Sequence, residues 1–467
     1  MSFDFDVVFI GGGPGGYVGA IKAGQLGLKT ACVDKRKTLG GTCLNVGCIP
    51  SKTLLELTHK YDAAKHLISD GILHGEVKPD FTAMMKQKST TIETLAKGID
   101  GLLKKNKVEK LTGLASFTNK NTINITLEDG SINTITAKNF VIATGSEVTH
   151  LPSAEIDEEI VISSTGALNL KTVPKKLIVI GAGVIGLELG SVYKRLGSEV
   201  EVVEFLDKIT PSLDAELGKA FKKILEEQGI IFRMSTKVLS VKKGKTSATV
   251  EVEGVSDAKK EELKADVVLI AIGRKPNTNG LNLESIGVKK NERGFILTDK
   301  HLKTSVDNIY AIGDVVVGQM LAHKAEEEGV AVAETLAGKY GHVNYDVIPG
   351  VIYTHPEVAC VGKTEEELKA LGIEYKVGKF SFMANSRAKA INDSAGFVKV
   401  LACKKTDKIL GTHIIGRSAG DIIHEICVAM EFSGSAEDVA RTCHAHPTLN
   451  EAIKEACMAV DKAQIHS

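Results

Sequence analysis

Two stretches of this chain carry the same pattern, and that repetition constrains the fold more than anything else in the sequence. DVVFIGGGPGG runs from Asp6 to Gly16, and LIVIGAGVIG from Leu177 to Gly186. Each is a short apolar, β-branched run, then G-x-G-x-x-G, then a helix-like stretch. The glycines are Gly11, Gly13 and Gly16 in the first copy and Gly181, Gly183 and Gly186 in the second. An acid closes the next strand-like run in both: Asp34 after KTACV and Glu204 after VEVV, each 23 residues beyond the first glycine of its motif. One G-x-G-x-x-G is weak evidence. With a strand before it, a helix after it and an acid at the next strand end, it specifies a dinucleotide-binding unit. The glycines let the backbone turn and approach a pyrophosphate, and the helix N-terminus offers unpaired N–H groups. The acid accepts hydrogen bonds from a ribose diol. A 2′-phosphate would be repelled by that carboxylate, and VVEFLD has no basic residue directly beside Glu204, so the second unit is expected to prefer NAD over NADP.

The repeat extends beyond the motif. After the first unit, residues 122–146 give a hairpin signal with Asp129-Gly130 at its turn, then an apolar strand ending in ATG. After the second unit come TSATVEVEG and ADVVLIAIGRKP in the same order. The second dinucleotide domain is therefore either inserted into the first or follows it. A further related piece, NIYAIGD, ends at Asp314. From spacing alone, that aspartate is equally a strand-end turn residue or a group reaching a cofactor hydroxyl.

At 467 residues the chain is long enough for roughly three domains with real cores. Its 58 basic and 58 acidic side chains argue against a dedicated nucleic-acid or membrane-surface binder. The acidic start, MSFDFD, does not resemble a signal or transit peptide. No uncharged stretch reaches the roughly 18 apolar residues of a membrane span.

The eight cysteines are scattered except for Cys43 and Cys48 in GGTCLNVGCIPSK, which points to a reducing compartment and a special use for that pair. PSKTLLELTHKYDAA reads as a helix. A thiolate near its start, with Lys52 four residues after Cys48, would have a lowered pKa and act as a redox partner. Half a zinc site fits poorly, because the spacing is wrong and there is no second pair. Two inert buried cysteines remain open. Two dinucleotide sites and a thiol pair suggest a path: hydride on NAD, a flavin, and a disulphide.

At this point the chain resembles the pyridine nucleotide–disulphide oxidoreductases along nearly its whole length. Within them it is most similar to the branch that oxidises dihydrolipoyl groups in 2-oxo acid dehydrogenase complexes. The resemblance implies an α/β fold with two Rossmann-like dinucleotide-binding domains, a central domain and a C-terminal α+β dimerisation domain. The expected divisions are 1–150 for FAD and the redox disulphide, 151–280 for NAD, 281–350 for the central domain completing the FAD site, and 351–467 for the interface. It implies FAD and NAD as cofactors, and a homodimer that meets lipoyl domains and the E2 core, with no nucleic acid or membrane partner. Cys43 would be the interchange thiol, and Cys48 would face the flavin as thiolate. Lys52 and Glu188 would form an ion pair by the flavin. Thr144, Gly145, Ser146, Asp314, Met320, Leu321, Ala322 and His323 match FAD contacts; Val238 and Gly273 match NAD contacts. Asp34 stands where glutamate is more usual, and Ala115 where a glycine often lies near the adenine. Glutathione and trypanothione reductases share the cysteine pair but prefer NADPH. Mercuric reductase ends in adjacent cysteines, whereas this chain ends DKAQIHS. The alternatives kept are a glutathione-type reductase and a redox-silent FAD-binding scaffold. The expected location is a bacterial cytoplasm, with a processed form in the mitochondrial matrix as the alternative.

The last motif, CHAHPTLNEAIKEACMAV, sets His444 and His446 before a helix. Thr448 and Glu451 have capping-box spacing, and Glu451 is also placed to orient an imidazole. Spacing does not choose between the histidines. The resemblance selects His446 as acid/base with Glu451 as its partner, leaving His444 a structural role.

Overall fold

Phe5–Ile10 becomes the middle strand of the first sheet because both its faces are covered: Val7, Val8 and Phe9 expose no surface. It pairs in parallel with Thr30–Asp34 on one side and Ile132–Ile142 on the other. Helix Pro14–Gln25 makes the crossover, with proline in its first turn, where a missing N–H costs nothing. This computed structural model describes residues 2–466. The first sheet runs in the order Glu109–Thr112, Thr30–Asp34, Phe5–Ile10, Ile132–Ile142, Thr122–Thr126, Leu114–Asn119. Thr122–Thr126 and Ile132–Ile142 form the expected hairpin, with Gly130 at φ +81° in the turn.

NIYAIGD returns to this sheet. Its strand Ile309–Ala311 lies parallel to the end of Ile132–Ile142, Tyr310 opposite Val141. The first of two compact units therefore comprises the chain up to Leu54, then Asp80–His150 and Gly273–Val343. The second dinucleotide unit is inserted, not appended.

The second unit comprises Leu55–Pro79, Leu151–Ile272 and the chain from Asn344 on. Its parallel sheet runs Ile231–Arg233, Glu199–Val203, Lys176–Ile180, Val267–Ile270, Val161–Ile162, with helix Val184–Arg195 after the second glycine motif. A three-stranded antiparallel sheet of Thr236–Lys243, Ala248–Gly254 and Lys260–Ala265 follows. The same unit holds an antiparallel five-stranded sheet in the order Gly350–Ile352, Glu357–Gly362, Ile409–Gly416, Phe397–Cys403, Tyr375–Ser381. Helices Ala419–Glu431 and Glu451–Ala459 share an aliphatic core with it. Below that core sits a buried ion cluster. Lys399 contacts both oxygens of Asp214 at 2.9 and 3.1 Å and Glu365 at 2.6 Å. Asp214 also caps helix Ala215–Glu227. Among the described residues no helix is long and apolar enough to cross a membrane.

Candidate active site

The two glycine motifs have the same geometry. Gly11 and Gly181 have φ of +107° and +103°, and a Cβ there would lie 2.2 Å from Ala143 O and 2.5 Å from Ala271 O. A Cβ on Gly16 would lie 1.7 Å from Gly11 O, and one on Gly186 2.4 Å from Gly181 O. The outer glycines are thus required by turn and packing. The middle ones are not. A Cβ on Gly183 would meet nothing within 4 Å, and one on Gly13 nothing nearer than Gly41 Cα at 3.8 Å. Both are helix N-caps with extended backbone and no side-chain cap. Each motif thus leaves open space against uncapped helix N–H groups, a cradle that any side chain would fill and that fits a dinucleotide pyrophosphate.

The paired acids match as closely. Asp34 accepts from the N–H groups of Gly12 at 2.7 Å and Arg36 at 2.8 Å. Glu204 accepts from those of Ala182 at 2.7 Å and Leu206 at 2.8 Å. Each carboxylate is tied to the residue between the first two glycines of its own motif, so acid and cradle are one rigid assembly. Ala115 lies on Leu114–Asn119 in the first unit, and Val238 on Thr236–Lys243 in the second. Gly273, at φ +116°, opens the segment that returns to the first unit.

Cys43 lies in the short helix Gly41–Val46, and Cys48 begins helix Cys48–Ser69. Both are half-buried. The hydrogen bond to Cys48, then burial, push the Cys43 thiol well above its ordinary value; Glu326 adds to this and Lys52 opposes it. Cys48 stands at a helix N-terminus, where a negative charge is favoured. Tyr17 also faces this corner: burial, then Glu326 and Cys43, push its hydroxyl up to about 12. Lys52 sits one turn into the Cys48 helix in the first unit. Glu188 belongs to the second, 3% exposed, and accepts from the Tyr353 N–H at 2.9 Å.

Some of the other positions expected on the FAD side meet in the structure. Ser146 Oγ donates to the Asp314 carboxylate. Thr144 Oγ1 donates to Asn277 O at 2.6 Å, and Asn277 N–H to Gly145 O at 2.9 Å. Met320 and Leu321 lead into helix Ala322–Leu336, whose first residues are Ala322 and His323 and whose N-cap Leu321 has no side-chain cap. Sequence reasoning missed Arg274. Its Nε donates to Ser146 Oγ and its Nη2 to Ser146 O, both at 2.7 Å. Burial lowers its pKa against the pull of Asp314 and Cys48. The available signal was position: Arg274 ends AIGR as Ser146 ends ATGS.

His446 is exposed, with Nδ1 2.9 Å from Glu451 Oε1. The other Glu451 oxygen accepts from the Thr448 N–H at 2.7 Å. Burial pushes the Glu451 carboxyl up, but the Thr448 N–H and His446 outweigh it, and the group sits below its usual value. The capping box is only half formed. The Thr448 hydroxyl donates to Ala445 O instead of accepting from the helix, which begins at Glu451 with Asn450 as N-cap. The His444 side chain is 6% exposed, its nitrogens facing Glu425 at 2.6 Å and Thr442 O at 2.9 Å, which fits a structural part.

Comparison with known proteins follows this geometry. Residues 5–329 match the family described as pyridine nucleotide-disulphide oxidoreductase, and residues 348–457 match its dimerisation domain. The mitochondrial dihydrolipoyl dehydrogenase of Dictyostelium discoideum is 56% identical over 99% of this chain and 95% of its own length. Mitochondrial dihydrolipoyl dehydrogenase 1 of Arabidopsis thaliana is 55% identical over 99% and 91%. Among solved structures, LpdA from Mycobacterium tuberculosis superposes with a TM-score of 0.89 at 25% identity, covering 97% of this chain and 98% of that one.

Proposed function

We infer, from the premise that the chain belongs to the pyridine nucleotide–disulphide oxidoreductase family, that it is an enzyme oxidising protein-bound dihydrolipoyl groups to the lipoyl disulphide with reduction of NAD. FAD and NAD are its cofactors, and its terminal domain is a dimerisation domain. The observation that carries the reading is the hydrogen-bonded Cys43–Cys48 pair in the same unit as an open glycine cradle.

In this reading FAD is held by the Gly11–Gly16 cradle, Asp34, Ala115, Thr144, Gly145, Ser146, Asp314 and Met320 to His323. NAD is held by the Gly181–Gly186 cradle, Glu204, Val238 and Gly273. Bound FAD supplies a two-electron acceptor that delivers hydride to NAD. His446, its Nδ1 held by Glu451, uses its free Nε2 to take a proton from the incoming dithiol. The thiolate attacks the sulphur of Cys43 in the oxidised pair, and Cys48 leaves as thiolate. The second substrate sulphur then displaces Cys43, which takes the first proton back from His446; His446 accepts the second thiol's proton, and the cyclic disulphide departs.

The homodimer matters because His446 is proposed to serve the partner subunit's Cys43. Mixed, refolded subunits carrying Cys43→Ser or His446→Ala test this. Half the dimers are hybrids with one intact site, so about a quarter of wild-type turnover should return. Zero recovery from a mixture shown to contain hybrids refutes the shared site.

The glutathione-type alternative is not favoured, since Glu204 offers a carboxylate where a 2′-phosphate would need a cation. Nor is the scaffold reading, since the relatives matched over nearly the whole chain are dihydrolipoyl dehydrogenases. Lipoyl domains and the E2 core of a 2-oxo acid dehydrogenase complex are the proposed partners. The relatives' names say mitochondrial, which supports the mitochondrial alternative; the bacterial cytoplasmic expectation gains no support from them.

A further inference from the structure

Helix Ala322–Leu336 buries a full ion pair. Lys324 is 1% exposed, Glu328 is fully buried, and Nζ lies 2.9 Å from Oε1. On a helix surface an i,i+4 pair of this kind stays in water. Here both charges are desolvated, and a buried pair is often no more stabilising than apolar residues of the same volume. What an apolar pair would lack is contact with Gly313. The second Glu328 oxygen accepts from the Gly313 N–H at 2.6 Å, and Lys324 Nζ donates to the Gly313 carbonyl at 3.3 Å. Both polar groups of one residue are thus gripped by the two ends of one ion pair.

Gly313 needs holding. It sits at φ +73°, where a Cβ would lie 3.2 Å from the Ala325 Cβ. It opens a three-residue 3-10 turn, Gly313–Val315, closed by one backbone bond from Val316 N–H at 3.2 Å. So short a turn does not fix itself. The next residue is Asp314, whose carboxylate accepts from Ser146, itself bonded to Arg274.

We propose that the buried Lys324–Glu328 pair is a positioning device that sets the Gly313–Asp314 turn, so that Asp314 is in place before FAD binds. The inference rests on the reading of Asp314 as an FAD contact. It makes Lys324 and Glu328 positioning residues that need not touch the cofactor.

Two double variants separate this from a merely structural role. Lys324→Met with Glu328→Gln removes both charges but keeps an acceptor for the Gly313 N–H. Lys324→Met with Glu328→Leu removes the acceptor too. FAD release is followed by the rise in flavin fluorescence after dilution of the holoenzyme. The Gln variant should stay within about threefold of wild type and the Leu variant should release FAD at least about tenfold faster, as expected for losing a charged hydrogen bond, while their melting temperatures agree. Asp314→Ala should also release FAD at least about tenfold faster. If it does and the Leu double releases FAD within about threefold of the wild-type rate, the positioning role is wrong. If Asp314→Ala releases FAD at the wild-type rate, the reading of Asp314 itself fails. A measurement on unmutated protein stands whatever the doubles do. The Gly313 amide should exchange with solvent as slowly as Ile309–Ala311 before and after FAD is removed. Fast exchange at Gly313 once FAD is gone overturns the proposal.

Discussion

Replacing Glu204 by arginine should change which pyridine nucleotide the enzyme uses, and the structure sets the size of the effect. The carboxylate is fixed by the Ala182 and Leu206 N–H groups at 2.7 and 2.8 Å, beside the open position at Gly183. Its remaining lone pairs are available to a ribose diol. A hydrogen bond to a charged group contributes about 1.5–3 kcal/mol. Loss of one such bond therefore lowers kcat/KM for NAD by about 10–150-fold. An arginine in its place gives NADP's 2′-phosphate a cation, so the NAD-to-NADP preference should narrow by at least the same factor or reverse. Asp34 is the internal control. It holds the same place in the first motif, tied to Gly12 and Arg36 at 2.7 and 2.8 Å. Asp34→Ala should loosen FAD and leave the nucleotide preference alone. The assay is kcat/KM with dihydrolipoamide for each nucleotide. The ratio is the proper readout, because Glu204→Arg also strips acceptors from two loop N–H groups and lowers absolute rates. An unchanged ratio in Glu204→Arg, or a ratio that moves in Asp34→Ala, refutes the assignment of the two cradles.

Two more predictions follow from buried charge. Cys48→Ser should keep FAD bound yet lose dithiol turnover together with the long-wavelength absorbance of a thiolate beside flavin; survival of that absorbance would remove Cys48 from the flavin side. Lys399→Met should cost about 3–5 kcal/mol, because it leaves the buried Asp214 without its cation and Glu365 with Lys369 alone. Burial pushes Glu365 up, but Lys399, Tyr375 and Lys369 hold it down at about 2, against 4.5 for an ordinary glutamate. A depressed carboxyl stabilises the fold above its unfolded value and loses that contribution as pH falls from 4.5 toward 2. Urea midpoints for wild type should therefore drop through this window, and Lys399→Met should flatten the drop; an equally steep drop in the variant assigns the acid sensitivity elsewhere.

The parts of this molecule that repeat or alternate locally are legible in its sequence. Both glycine motifs, their acids, the Asp129-Gly130 hairpin and the helix after Cys48 each arise from neighbours in the chain. The insertion of the second unit is not legible, because it depends on Ile309–Ala311 finding Ile132–Ile142 across some 170 residues. Nothing in NIYAIGD names its partner strand. Buried charges are the second gap. AHKAEEEG reads as a solvent-facing helix with an i,i+4 pair, and only packing shows that Lys324 and Glu328 face inward. Lys399 looks like an outward residue of a half-exposed strand, yet three carboxylates lie around it on other elements. The capping box at Thr448 failed for a smaller reason. Its hydroxyl had a nearer carbonyl at Ala445, which spacing does not reveal.

The central claim is that electrons pass from a dihydrolipoyl dithiol through Cys43 and Cys48 to NAD. It is tested most directly by steady-state turnover of the purified protein with dihydrolipoamide and NAD, beside glutathione disulphide and NADPH at matched concentrations. Fast NADH formation in the first assay, negligible NADPH oxidation in the second, and loss of the first activity in Cys43→Ser are the predicted results. Glutathione-disulphide turnover with NADPH matching or exceeding the dihydrolipoamide rate would contradict the account, as would dihydrolipoamide oxidation that persists without Cys43.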